Sequence, residues 1–473
     1  MKKEITDNYT LLLGDNIQLL KTIEENSIHS VVTDPPYGLS FMGKKWDYDV
    51  PSIEFWREVY RVLKPGGHIL SFGGTRTYHR LVTAIEDAGF EIRDQLQWIY
   101  GSGFPKSHNI GKAIDKRQGN KRSVLGSKTS GIAKSFTKNG WGSGNEKVEI
   151  TKGYSQWEGW GSSLKPANEP ICLARKPLSE RTIAENVMKW GTGGLNIDGC
   201  RIETDDFIGR KGNPNDLGVG ILAQFDGRKS LPKRRAFNSE GNKLGRFPSN
   251  VIFDQDASEI LDKQTGNVSQ GHWSKTTTKG FGKNYGGTST YKGVGRKEIG
   301  MVGASRFFYC PKVSKKEREI GLEDIDEKPS IQKGHGLDRI CGNCGTKMLN
   351  PMDCICKEPN WILPPKKNSH PTVKPINLMS FLVKLITPIG GTVLDPFMGS
   401  GSGGIGTLLE GFKFVGMEQD PEYFEIATAR IKEYESYREI LTKPKKTKRE
   451  KVIVEKDLEI GEPVMTFWLN QAV

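Results

Sequence analysis

The strongest constraint on this chain is that its regular pattern is split. Among its 473 residues, alternating strand and helix signals occur in residues 1–104 and again in residues 368–441. Each block offers only two or three strands, too few to cover its own apolar faces. The stretch between them, about 260 residues, is far longer than an ordinary connection. The blocks are therefore expected to close into one sheet, with the stretch between as an insertion. The strand-helix rhythm predicts an α/β, doubly wound, Rossmann-like sheet built from the N- and C-terminal blocks.

In the first block, Leu11-Leu12-Leu13 reads as a strand ending at Gly14-Asp15, and Ile17 to Ile23 has helical spacing. Val31-Val32-Thr33 reads as a buried strand. Asp34-Pro35-Pro36-Tyr37 ends it, because neither proline can donate to a ladder. A carboxylate and a ring, separated by two rigid residues, thus stand at the carboxyl end of a strand, where open α/β sheets bind ligands. Asp34 and the Pro35 carbonyl can accept from a planar –NH2 group, and the Tyr37 face can stack on the ring that carries it. A helix over Ser52 to Leu63, a strand over His68 to Phe72, a helix over Arg76 to Ala88 and a strand over Phe90 to Tyr100 follow. In the second block, the strand Thr392-Val393-Leu394 runs into Asp395-Pro396-Phe397-Met398-Gly399-Ser400-Gly401 and a helix from Ser402. Small residues let a ligand approach the backbone, and a helix amino end offers free N–H groups. Phe412 to Met417 is a strand ending at Glu418.

The pair D-P-P-Y and D-P-F-x-G-S-G resembles the S-adenosylmethionine-dependent DNA methyltransferases that act on exocyclic amines. Its order is similar to that of their beta subgroup, and in outline the chain resembles phage and prophage members. The resemblance implies a methyltransferase sheet with a catalytic motif at Asp34, Pro35, Pro36 and Tyr37. It sets Phe397, Gly399 and Gly401 around the methionine moiety of S-adenosylmethionine, with Thr372 and Lys374 nearby and Ser400 among the cofactor-binding residues. Glu418 suits the ribose hydroxyls. Asp395 faces the cofactor amino group or braces its turn, and Asp15 lies near the cofactor adenine or simply caps a helix. Adenine N-6 is favoured as the target and cytosine N-4 is the alternative. Gly399-x-Gly401-x-x-Gly404 with Glu418 also satisfies a dinucleotide fingerprint, so an NAD-dependent oxidoreductase would explain this turn locally. It would not explain D-P-P-Y. A non-catalytic DNA-binding module is a third reading, and an intact D-P-P-Y argues against it.

The chemistry agrees with the residues. An exocyclic amine is a poor nucleophile because its lone pair is delocalised into the ring, and acceptors at both N–H bonds free that lone pair. Transfer from a sulfonium then needs mainly positioning. A base inside a duplex must flip out to be reached. Trp46 and Asp47 lie in a polar loop that closes over such a base or is plain surface.

Net charge of +13 favours a polyanionic partner, here double-stranded DNA. Residues 105–367 are expected to be a target-recognition insertion. Between Ser102 and Pro166 there are 12 Lys/Arg against 4 Asp/Glu, with Trp141, Trp157 and Trp160 and little periodicity, which suggests a loop-rich region ordered on DNA. Lys116, Arg117, Lys121 and Arg122 are the expected phosphate contacts. Cys341-x2-Cys344-x9-Cys354-x-Cys356 has the clustering of a structural zinc site. The seven cysteines do not read as a secreted disulfide framework, and no membrane-spanning run is present, so a cytoplasmic protein without a membrane partner is expected. A homodimer is left open. Residues 442–473 read as a basic linker and tail.

Overall fold

A computed structural model describes residues 2–39, 47–101, 103, 107–129, 147–203, 245–266, 303–311, 315–325, 340–341, 343–344, 346, 354–356, 361–362 and 367–442. The expectations for Trp46, Trp141 and the tail from 443 lie outside these residues. The strands are, in chain order, β1 (Lys3–Ile5), β2 (Tyr9–Leu13), β3 (Ile28–Thr33), β4 (Leu63–Phe72), β5 (Glu91–Ile99), β6 (Ser123–Thr129), β7 (Lys147–Lys152), β8 (Asn168–Arg175), β9 (Val251–Phe253), β10 (Ile340–Cys341), β11 (Trp361–Ile362), β12 (Thr392–Asp395) and β13 (Lys413–Glu418). Nine of them form one sheet, in the order β1-β2-β13-β12-β3-β4-β8-β5-β9. The run from β2 to β4 is parallel throughout. The expected joining of the two blocks is therefore present, with Leu394 opposite Val31.

Apolar alternation explains why the sheet is covered on both sides. Val32, Leu70 and Val393 face one core, and their neighbours Val31, Ile69 and Leu394 face the other. Helices α1 (Asn16–Leu20), α2 (Ile53–Val62) and α3 (Tyr78–Asp87) supply Leu19, Trp56 and Leu81 to the second core. After α4 (Ile110–Gln118), α5 (Ile183–Trp190) and α6 (Gln255–Thr265) come α7 (Ile376–Ile386), α8 (Ser402–Leu409), α9 (Pro421–Lys432) and α10 (Tyr434–Thr442). The first core takes Leu382, Ile405, Phe424 and Tyr437 from these last four. Among the described residues no helix is long and apolar enough to cross a membrane.

Two expectations are corrected. The sheet does not stop at residue 104: β8 and β9, from within the region read as an insertion, belong to it. β8 lies antiparallel between β4 and β5, with Leu173 opposite Leu70 and Cys172 opposite Gln95. The edge of β4 is buried on both faces, and the apolar run Ile171 to Ala174 pairs with it. Nor is the stretch after Ser102 only loop. It holds α4, capped by Asn109, and the β6–β7 hairpin. Arg122 joins them: it donates to Asp115, to Glu158 at 2.5 Å and to the Thr151 carbonyl at 3.1 Å. With its side chain only 12% exposed, Arg122 is a brace for this unit and not a phosphate contact.

Candidate active site

β3 and β12 are neighbours, yet β4 continues the sheet on one side and β13 on the other. The strand order thus reverses between them, which opens a crevice at their carboxyl ends. Asp34 to Tyr37 and Asp395 to Ser400 both line it. The crevice has a volume of about 1830 Å³. That exceeds the ~300–1,000 Å³ of a single small-ligand pocket and leaves room for a second ligand.

The D-P-P-Y turn is fixed by two side chains. Asp47 is buried, and its Oδ1 accepts from the Tyr37 and Gly38 amides at 2.7 and 3.0 Å while its Oδ2 accepts from Leu39 at 3.2 Å. The Thr77 hydroxyl donates to the Tyr37 carbonyl at 2.5 Å. Asp47 therefore shapes the turn from beneath.

Asp34 sits in a polar cluster. Its Oδ1 accepts from the Tyr37 hydroxyl at 2.8 Å, and its Oδ2 from the Lys374 ammonium at 2.5 Å. Glu169 Oε2 lies 3.0 Å from the same hydroxyl and 3.2 Å from the same ammonium. Lys374 also lies over the Phe72 ring, 4.8 Å from its centroid. Burial opposes the ammonium, but the Asp34 and Glu169 carboxylates outweigh it and push its pKa up to about 12. Burial, reinforced by the same carboxylates, holds the Tyr37 phenol far above its ordinary range. Lys374 thus meets the D-P-P-Y turn, whereas the family resemblance grouped it with the cofactor. Glu169 was not foreseen. The available signal was a carboxylate between Asn168 and Pro170 at the start of a strand. Because β8 is antiparallel to β4, its start lies at the carboxyl edge of the parallel strands.

The glycine turn is built around Glu418. Its Oε2 accepts from the Gly399 amide at 2.9 Å, and its Oε1 from Gln419 and Asp420 at 3.0 and 2.9 Å. Burial raises its pKa to about 7 despite these amides. Asp395 is buried too and is also raised to about 7, although the Thr33 hydroxyl donates to it at 2.7 Å and the Phe397 amide at 3.2 Å. These bonds brace the turn and tie β12 to β3. Phe397 lines the crevice and packs on Phe55 at 5.1 Å.

Ser400 lines the crevice, but its hydroxyl and carbonyl accept from Arg430, which is fully buried. Arg430 also donates to the Tyr437 hydroxyl at 3.1 Å and the Glu317 carbonyl at 3.1 Å. Gly401 is outside the lining: at φ 81° it caps α8, and a Cβ there would meet Ala427 and Ile431 of α9. Thr372 lines the crevice and its amide donates to His370 Nδ1 at 3.3 Å. Asp15 is outside the lining as well, its side chain capping α1 through the Gln18 amide at 3.0 Å, while Gly14, Asn16 and Ile17 face the crevice.

Away from the crevice, the thiols of Cys341, Cys344, Cys354 and Cys356 converge within 4.8 Å of one another. Cys341 to Cys356 is 3.8 Å and Cys344 to Cys354 is 3.5 Å. A tetrahedron of Zn–S bonds near ~2.3 Å has edges of about 3.8 Å, so the donor set fits one zinc ion.

Comparison with known proteins places the chain in a family. The chain is 25% identical over 226 residues to Type II methyltransferase M.HindIII of Haemophilus influenzae, covering 39% of this chain and 63% of that protein. It is 34% identical over 116 residues to Type II methyltransferase M.HpaI of Haemophilus parainfluenzae, covering 22% of this chain and 36% of that one. The matched regions thus span less than two thirds of either relative. Among solved structures, the M1.HpyAVI–SAM complex aligns with 89% of this chain and 98% of its own at 13% identity and a TM-score of 0.34. The DNA methylase family model for N6/N4 methyltransferases matches residues 28–189 and 225–429. More than half of the sequence is thereby accounted for, and the chain belongs to the N6/N4 DNA methylase family.

Proposed function

We propose that this protein transfers a methyl group from S-adenosylmethionine to the exocyclic amine of a flipped-out base in double-stranded DNA, adenine N-6 being favoured over cytosine N-4. The observation that carries the reading is the opening of Asp34–Tyr37 and of Gly399 and Glu418 onto one crevice at the β3/β12 switch point. The residues on the second side fit the cofactor. Glu418 offers a carboxylate suited to a ribose diol, Phe397 an aromatic wall, and Gly399 a bare backbone for the methionine end. When bound, S-adenosylmethionine supplies an electrophilic methyl group on sulfur. On the first side, Asp34 accepts an N–H of the amine and Tyr37 offers a ring for the base. Lys374 donates to Asp34 Oδ2 at 2.5 Å and fixes the orientation of that carboxylate toward the crevice. Asp395, bonded to Thr33, holds the two sides in register.

Target choice is assigned to the parts of residues 105–367 outside the sheet. The α4–β6–β7 unit carries Lys116, Arg117 and Lys121 and the exposed rings of Trp157 and Trp160. The cysteine cluster is proposed to hold a structural zinc that orders its own segment of this region. Nucleoside mass spectrometry of DNA from a host expressing the protein tests the reading. N6-methyladenine is the expected product. N4-methylcytosine would reassign the base, and neither modification would overturn the function.

A further inference from the structure

The Asp34 carboxylate has both oxygens engaged, one by Tyr37 and one by Lys374. Glu169 differs. Its Oε2 meets Tyr37 and Lys374, but among the described residues nothing donates to Oε1, and Glu169 lines the crevice. The Tyr37 hydroxyl has one proton, so at any moment it serves one of the two carboxylates only. We propose that Glu169 is a second catalytic residue, whose open Oε1 accepts an N–H of the target amine and then its proton, with Lys374 as the positioning residue that holds Glu169 and Asp34 side by side.

This inference rests on the amino-methyltransferase reading and deepens it. As the carbon–nitrogen bond forms and the carbon–sulfur bond breaks, the positive charge passes from sulfur to the amine nitrogen. A carboxylate fixed beside that nitrogen is worth more to the transition state than to the neutral amine. The cationic N-methylamine then gives one proton to Glu169 Oε1, which leaves a neutral product and a carboxylic acid that releases the proton to water. The Lys374 ammonium, 2.5 Å from one carboxylate and 3.2 Å from the other, bridges the two and offsets their mutual repulsion. The other titratable groups around the pair are Tyr37, Tyr100, His370 and Asp395. Burial keeps His370 neutral at physiological pH, with a pKa of about 4.

The test is steady-state methyl transfer to unmethylated genomic DNA by the full chain. Glu169→Gln is isosteric and is expected to lower kcat by about 100-fold or more, with cofactor and DNA Kd within about threefold of wild type. Lys374→Met should move the acid limb of the pH–rate profile up by about one unit or more, and Lys374→Arg should restore it. Should Glu169→Gln not fold, Glu169→Asp retains the charge but withdraws it by one methylene, and is expected to lose about tenfold or more in kcat. Wild-type kcat in whichever Glu169 variant folds, or an unmoved acid limb in Lys374→Met, would overturn the proposal. A wild-type protein that methylates no DNA would overturn the underlying reading instead.

Discussion

Gly399→Ala isolates the physical requirement of the glycine turn. Gly399 has φ 54°, in the left-handed region, where a side chain costs about 1–2 kcal/mol. A Cβ there would also stand 2.8 Å from His370 Nε2. That ring cannot step aside freely: it packs edge-on against Tyr423 at 4.6 Å, and its Nδ1 accepts from Thr372. Crowding of this kind adds about 1–3 kcal/mol, for a total of about 2–5 kcal/mol. The strain is relieved only by moving the turn, which breaks the bond from the Gly399 amide to Glu418. Gly411→Ala is the matched control. Gly411 has φ 80°, but nothing lies within 4 Å of its would-be Cβ, so only the ~1–2 kcal/mol backbone cost applies. Urea midpoints should fall for both and further for Gly399→Ala. Calorimetry should show S-adenosylmethionine binding about tenfold or more weaker in Gly399→Ala and unchanged in Gly411→Ala. Equal costs in the two variants, or unaltered cofactor affinity in Gly399→Ala, would refute the steric argument.

Other consequences are as direct. Glu418 titrates near pH 7, and below that it is protonated and loses acceptor capacity, so cofactor affinity should fall from pH 8 to pH 6. Calorimetry across that range should find Glu418→Gln weak and nearly flat, and any slope left in it would belong to Asp395, which is raised to the same region. Elemental analysis of protein prepared in metal-free buffer should find one zinc per chain, absent from Cys341→Ser. Replacing Lys116, Arg117 and Lys121 with Gln should flatten the salt dependence of DNA binding, read by fluorescence anisotropy, by about one in log–log slope for each phosphate no longer neutralised. Arg122→Met should lower the melting temperature instead, because it strips Asp115 and Glu158 of their partner.

Local pattern made much of the fold legible. Period-two apolar pairs such as Val31 and Val32 are what a sheet covered on both faces requires, and the prolines after Thr33 mark where its strand must stop. The meeting of Asp34 with the glycine turn also followed, because neither block could cover itself alone. What escaped was non-local. An apolar run such as Ile171 to Ala174 announces a strand but not its neighbours, so neither the place of β8 in the sheet nor that of Glu169 in the site could be read from it. The α4–β6–β7 unit escaped for another reason. Part of its cohesion is the ion cluster of Arg122, Asp115 and Glu158, which leaves no hydrophobic period in the sequence. Arg430 is likewise a charged residue on an ordinary helical pattern until its partners Ser400, Glu317 and Tyr437 are in space around it.

The most direct test of the central claim is transfer of tritiated methyl from S-adenosylmethionine to DNA by the wild type and Asp34→Ala, with cofactor Kd measured on the same preparations. With Asp34 on the side of the crevice proposed for the amine, the variant should lose transfer by about 1,000-fold or more while its cofactor Kd stays within about threefold. Label recovered on an exocyclic amine from the wild type alone is the predicted result. Near-wild-type transfer by Asp34→Ala, or wild-type label on cytosine C-5, would contradict the account.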